Sequence, residues 1–246
     1  STLILDRNHN YWQKDPVGPG KGNQLPYLDR VQYLIIPDAS TRLAALRTGK
    51  IDWLDSLNME DAAAMRKQVS ALKEVVLEGG GSPSPITMRT DKVPFSDIRV
   101  RRAMFMAINF KAINQAVTGG LGRIITFPFP YSKTSAEIYL GLDDTATPTS
   151  VKELYSYNPD KAKQLLKEAG YPDGFKTSLI LSAAEVDYYS IIKDYFSKVG
   201  IDMKLDVRDN NVHSSIRATR THPEMITSGS GPPSGFLLFW QITGEG

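Results

Sequence analysis

The sequence predicts an α/β fold, with layered mixed sheets that are covered by helices on at least one side. β-rich runs alternate with segments of helical periodicity along most of the 246 residues, and no internal repeat is present. The clearest unit, at residues 176–209, is a strand, a helix and a second strand. Such a unit normally forms a right-handed parallel crossover, so we expect a mostly parallel sheet.

The first part of the chain predicts two strands and two helices. The strands, "TLILDR" and "RVQYLIIPD", flank the Gly- and Pro-rich loop "DPVGPGKGNQLP". Asp38 or Ser40 is positioned to cap a helix that ends at Gly49, and Asn58 is positioned to cap a second helix. Between the two helices, "IDWLD" predicts a short strand or turn.

A domain boundary is predicted at "GGGSPSP". The preceding run, "LKEVVLE", predicts a strand. The three glycines and two prolines of "GGGSPSP" are unsuited to continue a strand or a helix, and they favour a flexible crossing between two bodies. We therefore divide the chain into residues 1–78 and 79–246.

The second part predicts further strands and helices. A strand, "ITMRT", leads into "VPFSDIRVRRAMFMAIN", where Ser96 and Asp97 are suited to cap a helix. An irregular aromatic and Pro-rich segment follows at residues 126–150, and connections of this length are usually functional or mobile. Asn158 and Gly170 mark the start and stop of the next helix. Beyond the crossover unit, "NNVHSSIRATR" predicts a helix and "EMITSG" a strand.

The helix within "VPFSDIRVRRAMFMAIN" has an apolar stripe at helical spacing. The stripe consists of Val100, Ala103, Met104, Ala107 and Ile108. Arg99 and Arg102 fall on the opposite side, Arg101 flanks the stripe, and Asp97 is close enough to pair with an arginine. Because the formal charge of the chain is only +2, a solvated or interdomain face is favoured over a phosphate-binding one.

Composition excludes several classes of protein. Hydrophobic residues make up 41% and charged residues 23%, as in an ordinary globular protein, and no apolar run approaches a bilayer span. The lack of cysteine excludes disulfides and thiol chemistry. The chain begins with neither an initiator Met nor a signal peptide, so we expect a processed or truncated product.

Motifs for nucleotide binding, metal binding and catalysis are incomplete. Around "GPGKGN", Asp15 stands where a phosphate-binding loop needs its first Gly. No two of His9, His213 and His222 have the i, i+4 spacing of a metal pair, so surface or capping roles are expected. "SGSGPPSG" lacks the glycine spacing of a nucleophile elbow. We therefore expect neither a metal nor a cofactor.

The three tryptophans are large apolar groups that can stack on a ligand or fill a core. Trp12 and Trp53 sit in or beside predicted β runs, so we expect them in the core. Trp240, within "GFLLFWQ", is a candidate apolar anchor.

Four segments together resemble one family, the solute-binding proteins of bacterial peptide and nickel ABC transporters. This is family 5, the dipeptide and oligopeptide binding type. The segments occur in the family's order along nearly the whole chain. They are "LDRNHNYW" at Leu5–Trp12, "YLDRVQYLIIPDASTRLAALRTGKIDW" at Tyr27–Trp53, "VPFSDIRVRRAMFMAIN" at Val93–Asn109 and "YNPDKAKQLLKEAGYPDGF" at Tyr157–Phe175.

The resemblance implies part of a two-lobed, periplasmic-binding-protein-like fold of the type II, extended class. Residues 1–78 would be a portion of lobe I, and residues 79–246 most of lobe II without the C-terminal elements. The implied function is capture of a peptide, opine or oligosaccharide between the lobes and its delivery to an ABC permease in the membrane. We expect a periplasmic or extracellular, membrane-anchored protein, monomeric when intact, with no nucleic-acid partner.

In peptide binders of this family, an Asp of lobe II pairs with the ligand's amino terminus, in a segment resembling "EMITSGSGPPSGFLLFW". No Asp lies between Glu224 and Trp240 here. Because a buried, unpaired ammonium group is costly, this favours sugars, opines or a larger or differently anchored peptide.

Six residues are expected to bind the ligand, because they place short polar groups, backbone donors or a charge where a lobe II site is implied. They are Arg89, Asn211, Thr227, Ser228, Gly229 and Ser230. Arg89 is a candidate partner for a carboxylate, whereas Asn211 is also suited to cap its own helix.

Two other functions remain open from the sequence. One is an α/β hydrolase-like enzyme that uses a Ser of residues 228–234. The other is nucleic-acid binding through the arginine-rich helix, which would require affinity that falls steeply with salt. The sequence favours the binding protein, which carries out no reaction of its own.

Overall fold

The computed structural model describes residues 2–55, 57–75, 84–126, 137 and 139–228. The chain divides into two compact units, Ser1–Lys73 and Glu74–Gly246. The predicted boundary between residues 78 and 79 lies outside the described residues, as do residues 127–136 and 138 of the aromatic and Pro-rich segment and Trp240. Among the helices of the described ranges, none has the length and apolar character needed to cross a bilayer.

The first unit contains a two-stranded ribbon and two helices. They are β1 (Thr2–Asp6), β2 (Arg30–Leu34), α1 (Ala39–Arg47) and α2 (Met59–Gln68). The strands are antiparallel, and a 2.6 Å ion pair joins Asp6 to Arg30 at the end of the ribbon. Asp38 accepts a hydrogen bond from the Thr41 amide, and Asn58 accepts one from the Asp61 amide. Both predicted caps are therefore confirmed.

The predicted core positions of two tryptophans are wrong. Trp12 is 81% exposed and Trp53 is 69% exposed. In the described part of the first unit, the buried apolar side chains are those of Leu46 and Met65. A ribbon of two strands offers no third layer against which a large ring can be buried, so β-rich surroundings do not place these rings in a core.

Of two segments in the first part for which a strand was considered, neither forms a strand in the described residues. "IDWLD" is irregular over residues 51–55, which leaves the alternative of a turn-like connection. The predicted strand "LKEVVLE" is not a strand at residues 72–75, and its remaining residues lie outside the described part of the chain. Short β-branched runs have weak intrinsic preferences, so their pairing depends on neighbouring strands.

The second unit is built on a four-stranded mixed sheet. Its strands are β3 (Ile86–Met88), β4 (Phe175–Ser182), β5 (Ile201–Arg208) and β6 (Met225–Thr227). Their spatial order is β3, β6, β4, β5. β4 pairs in parallel with β5 along its whole length and with β6, and β3 pairs with β6 in the antiparallel direction. The predicted parallel crossover is therefore confirmed.

In its described residues, the second unit has six α-helices. They are α3 (Ile98–Met106), α4 (Phe110–Thr118), α5 (Thr149–Leu154), α6 (Pro159–Glu168), α7 (Val186–Ser197) and α8 (Asn210–Thr219). The sequence did not predict α4 and α5. Both are held by aromatic contacts, because the Phe105 ring lies 5.0 Å from the rings of Phe110 and Tyr155.

The predicted face of α3 is confirmed. Every residue of its apolar stripe is buried. The arginines on the other side bind protein groups: Arg99 pairs with Asp97 at 2.6 Å and donates to the Glu168 carbonyl, and Arg102 pairs with Glu153. The arginines therefore join α3 to its cap, to the end of α6 and to α5.

Gly174 lies at the start of β4, and its backbone is in close contact with that of Gly200 at the start of β5. Its φ of +80° is in the left-handed region, and a Cβ added there would collide with the Gly200 carbonyl. Gly170, with a φ of +93°, has open space around the same position. Gly170 is therefore required only for its left-handed φ, whereas Gly174 is required both for its φ and for the close contact with Gly200.

We expect Gly174→Ala to destabilise the protein much more than Gly170→Ala. Both changes cost about 1–2 kcal/mol because alanine is strained at a left-handed φ. Gly174→Ala adds an overpacking cost of about 1–3 kcal/mol, since the backbone of Gly200 cannot move without shifting β5. Urea unfolding curves of the two variants measure the difference. Equal losses would contradict the close approach of the two strand starts.

Candidate functional site

Three chain segments meet where the strands of the four-stranded sheet end on one side, and we call this place the polar edge. β4 and β6 are parallel and both end at this edge, at Ser182 and Thr227. β3 runs in the opposite direction and starts there, next to Ser84 and Pro85. Ligands of open α/β sheets bind outside the carboxyl ends of the strands. This edge is therefore the place where the fold favours a binding site.

A group of polar side chains fills this edge, and we call it the edge cluster. It consists of Ser84, Ser182, Glu185, Tyr189, His213 and Thr227. Glu185 belongs to a short 3-10 turn after β4, Tyr189 to α7 and His213 to α8. The cluster thus joins the ends of three strands to two helices.

The Glu185 carboxylate is the common acceptor of the edge cluster. Its Oε2 atom accepts hydrogen bonds from the Ser182 amide at 2.9 Å, the Ser182 hydroxyl at 2.8 Å and the Thr227 hydroxyl at 2.9 Å. The Ser84 hydroxyl is a further donor. Burial raises the pKa of Glu185, but these donors together outweigh burial, so its pKa is lower than usual. The group is therefore an anion at neutral pH.

His213 and Thr227 form the buried side of the cluster. The His213 Nε2 atom lies 2.9 Å from the Thr227 Oγ1 atom, and Thr227 is 0% exposed. The single proton of the Thr227 hydroxyl is donated to Glu185. The Thr227 oxygen must then accept from His213, so the Nε2 atom of His213 carries a proton.

This arrangement does not resemble a hydrolytic triad, although it contains a hydroxyl, an imidazole and a carboxylate. In such a triad the carboxylate binds the imidazole and orients it. Here the carboxylate of Glu185 binds the hydroxyl of Thr227, which no substrate can reach because it is fully buried. The Ser228 hydroxyl donates to the Pro85 carbonyl at 3.1 Å. These contacts are structural, and nothing in the described residues supports the hydrolase alternative.

The predicted ligand-binding residues lie in different places. Thr227 and Ser228 lie at the polar edge of the sheet, and both the amide and the hydroxyl of Ser228 donate to Pro85. Arg89 follows β3 at the opposite edge, where its amide donates to the Glu224 carbonyl. Asn211 is exposed in the first turn of α8, and the cap of that helix is Asp209 rather than Asn211. Gly229 and Ser230 lie outside the described residues.

Sequence reasoning missed Glu185, His213, Tyr189 and Ser84. One local signal was present, because the Ser182 and Glu185 pair has the spacing of a capping box and forms one in the structure. The expectation of surface or capping roles for the histidines is wrong for His213 and His222, which are both buried. No local pattern marks a histidine that is buried by contacts with distant strands.

Arg89 and His222 form a second polar group at the other edge of the sheet. The Arg89 guanidinium makes two hydrogen bonds to Asp91, at 2.7 and 2.5 Å, and holds the pKa of Asp91 at about 2. It also donates to the His222 carbonyl at 3.2 Å. These contacts tie the residues after β3 to the segment that precedes β6.

The imidazole of His222 is buried without compensation. It is 4% exposed, and among the described residues neither of its ring nitrogens has a hydrogen-bond partner. Burial lowers the pKa of His222, the positive charges of Arg89 and Lys92 lower it further, and Asp91 opposes them. A proton on this ring is therefore disfavoured in the folded protein.

We expect His222 to make the protein less stable in mild acid. Its pKa in the folded state is below the unfolded value of about 6.5, so the unfolded chain takes up the proton first. Its stabilising contribution is present above pH ~6.5 and is lost as the pH falls through the folded pKa. His222→Leu should abolish this part of the pH dependence.

Urea midpoints of the wild type and of His222→Leu between about pH 8 and 5 measure the effect. The difference between the two proteins is taken at each pH, so that the other titrating groups cancel. A difference that stays constant over this range would show that His222 is not buried neutral.

The fold defines an α/β protein of the periplasmic-binding type, with polar groups at the ends of its strands. The chain belongs to the bacterial extracellular solute-binding proteins, family 5, whose model for the middle part of these proteins matches residues 1–241. The resemblance carried by the four sequence segments is thereby confirmed, and so is the fold class.

Two curated relatives illustrate the match. Heme-binding protein A of Haemophilus influenzae is 35% identical over 170 residues, which cover 69% of this chain and 27% of that protein. The glutathione-binding protein GsiB of Salmonella typhimurium is 32% identical over 169 residues, which cover 69% of this chain and 28% of that protein. The matched part of the chain thus spans less than a third of either relative.

A solved structure shows the same fold. The periplasmic binding protein DppA from Helicobacter pylori, in complex with the peptide STSA, matches with a TM-score of 0.71 and 28% identity. The match covers 92% of this chain and 40% of DppA.

Proposed function

We propose that the longer protein to which this chain corresponds is the extracytoplasmic solute-binding component of an ABC importer. It captures a small peptide or similar solute and delivers it to a permease in the membrane, without a reaction of its own. The observation that carries this proposal is the family match over residues 1–241. The structure adds a sheet whose strand ends carry polar groups at the edge where α/β proteins bind ligands.

A peptide-like solute is favoured by two of the three proteins named above, whereas the third is a heme-binding protein. GsiB is a glutathione-binding protein, and DppA was solved with a bound peptide. The absence of Asp between Glu224 and Trp240 favours a solute that is not held through a free ammonium group. A glutathione-like or larger peptide fits this expectation if groups other than its free ammonium make its main contacts with the protein. An opine or an oligosaccharide remains an alternative prediction from the sequence.

Within the proposed site, Ser228 is the described residue best placed to contact the ligand. It is partly exposed, and it follows β6 directly at the polar edge. We propose that ligand contacts come from the stretch that begins at Ser228 and continues through Gly229 and Ser230. Thr227 contributes through its backbone position, since its hydroxyl is fully engaged inside the cluster. Arg89 and Asn211 are weaker candidates, because Arg89 is bound to Asp91 and Asn211 lies on α8.

The partners and location of the protein belong to the same proposal. The protein works outside the cytoplasm, docks on an ABC permease and is monomeric when intact. Membrane anchoring is part of the same proposal.

We expect the full-length protein to become more compact when it binds its solute, because binding proteins of this kind close around their ligands. Small-angle X-ray scattering should show a smaller radius of gyration on addition of glutathione or of the peptide STSA. A ligand at 100 times its Kd should also stabilise the protein by about 2.7 kcal/mol.

The control for non-specific effects is a single amino acid with the same net charge as the peptide probe, added at the same concentration. The proposal fails if a broad panel of peptides, sugars and metal chelates changes neither the scattering profile nor the melting temperature.

A further inference from the structure

The edge cluster connects parts of the chain that are far apart in sequence. Tyr189 donates its hydroxyl to the Ser84 carbonyl, and Thr227 donates to Glu185. Next to the cluster, the Ser228 amide donates to the Pro85 carbonyl at 2.9 Å. The start of β3, the end of β4 and the end of β6 are therefore held at one place.

Glu185 has the most connections in this cluster. A single oxygen of its carboxylate binds both polar groups of Ser182 and the hydroxyl of Thr227. All of these are neutral hydroxyl or amide donors, so the charge is stabilised by hydrogen bonds that point at it from two different strands. Hydrogen bonds to an ionised acceptor are about twice as strong as neutral ones.

Thr227 cannot contact a ligand through its side chain, since it is fully buried and its oxygen is bound on both sides by His213 and Glu185. The next residue, Ser228, is only partly buried. Ser228 follows Thr227 directly, and its amide donates to the Pro85 carbonyl. The position of Ser228 therefore depends on Thr227, and the position of Thr227 depends on Glu185.

We propose that Glu185 is a positioning residue for the solute site: its carboxylate fixes the end of β6 against the end of β4, and this sets the position of Ser228. This proposal rests on the proposed solute-binding function. A site is bound more tightly when its frame is fixed before the ligand arrives, because less ordering remains to be done on binding.

Whether Glu185 holds the strand ends together is tested without a ligand, by amide hydrogen exchange in the full-length protein. Glu185→Gln removes the negative charge and leaves a neutral amide oxygen as the acceptor for these donors. We expect exchange at the Ser182 and Ser228 amides to accelerate about 10- to 100-fold, which corresponds to the loss of a hydrogen bond to a charged group. Thr227→Val should accelerate exchange at Ser228, and Thr227→Ser, which keeps the hydroxyl, should restore the protection.

Ile192→Val is the control for a merely structural effect. Ile192 is buried in α7 and its side chain has no polar atom, so its shortening lowers the melting temperature without removing a hydrogen bond of the cluster. Exchange at Ser228 that rises equally in Glu185→Gln and in Ile192→Val would overturn the proposal. If Glu185→Gln does not fold, the Thr227→Val and Thr227→Ser pair decides the same question.

Ligand affinity is the second measurement, by titration calorimetry with the peptide STSA and with glutathione. For each probe that the wild type binds, we expect Kd to rise about tenfold or more in Glu185→Gln and Thr227→Val. It should remain near the wild-type value in Thr227→Ser and Ile192→Val. Equal affinities in all variants would overturn the positioning role.

The two measurements distinguish the two possible failures. A wild-type protein that binds neither probe, nor any member of the broader panel, overturns the proposed function and the ligand part of this proposal. The exchange rates at Ser182 and Ser228 still show in that case whether Glu185 holds the strand ends together.

Discussion

The second unit depends on the burial of β4 on both of its faces. Leu179, Ile180 and Leu181 are consecutive and all buried, so this strand is covered on both sides. A continuous apolar run is typical of a strand inside a parallel sheet that has helices on its faces. β5 and β6 pair with β4 on either side, and β3 is attached through β6. The positions of the edge cluster, and of the second polar group formed by Arg89 and His222, both follow from this central strand.

Features that depend on local chemistry could be predicted from the sequence. Asp38, Asn58, Asp97 and Asn158 all cap the helices that follow them, because a cap binds an amide only two or three residues away. The apolar stripe of α3 was equally visible, since a helix repeats its buried face at a fixed spacing. Family resemblance added the fold class, which local patterns alone describe only as α/β.

Features that depend on distant parts of the chain could not be predicted. The tryptophans at positions 12 and 53 were expected to be buried, but a ribbon has no further layer to cover them. Within the edge cluster, only the pairing of Ser182 with Glu185 is local. Thr227 reaches Glu185 across the sheet, and His213 on α8 binds Thr227, so their roles follow from the tertiary structure. Their hydroxyl and imidazole groups would otherwise be interpreted as ligand or catalytic groups.

The order of the strands has a consequence for how the second unit assembles. β4, α7 and β5 are consecutive in the chain, so their contacts close short loops and can form early. β3 precedes β4 by almost ninety residues, yet it pairs with β6, the last strand of the described sheet. Its addition closes the longest loop of the sheet, and loop closure costs more entropy as the loop lengthens. We therefore expect the start of β3, where Ser84 and Pro85 are held, to be among the last parts of the sheet to become ordered during folding.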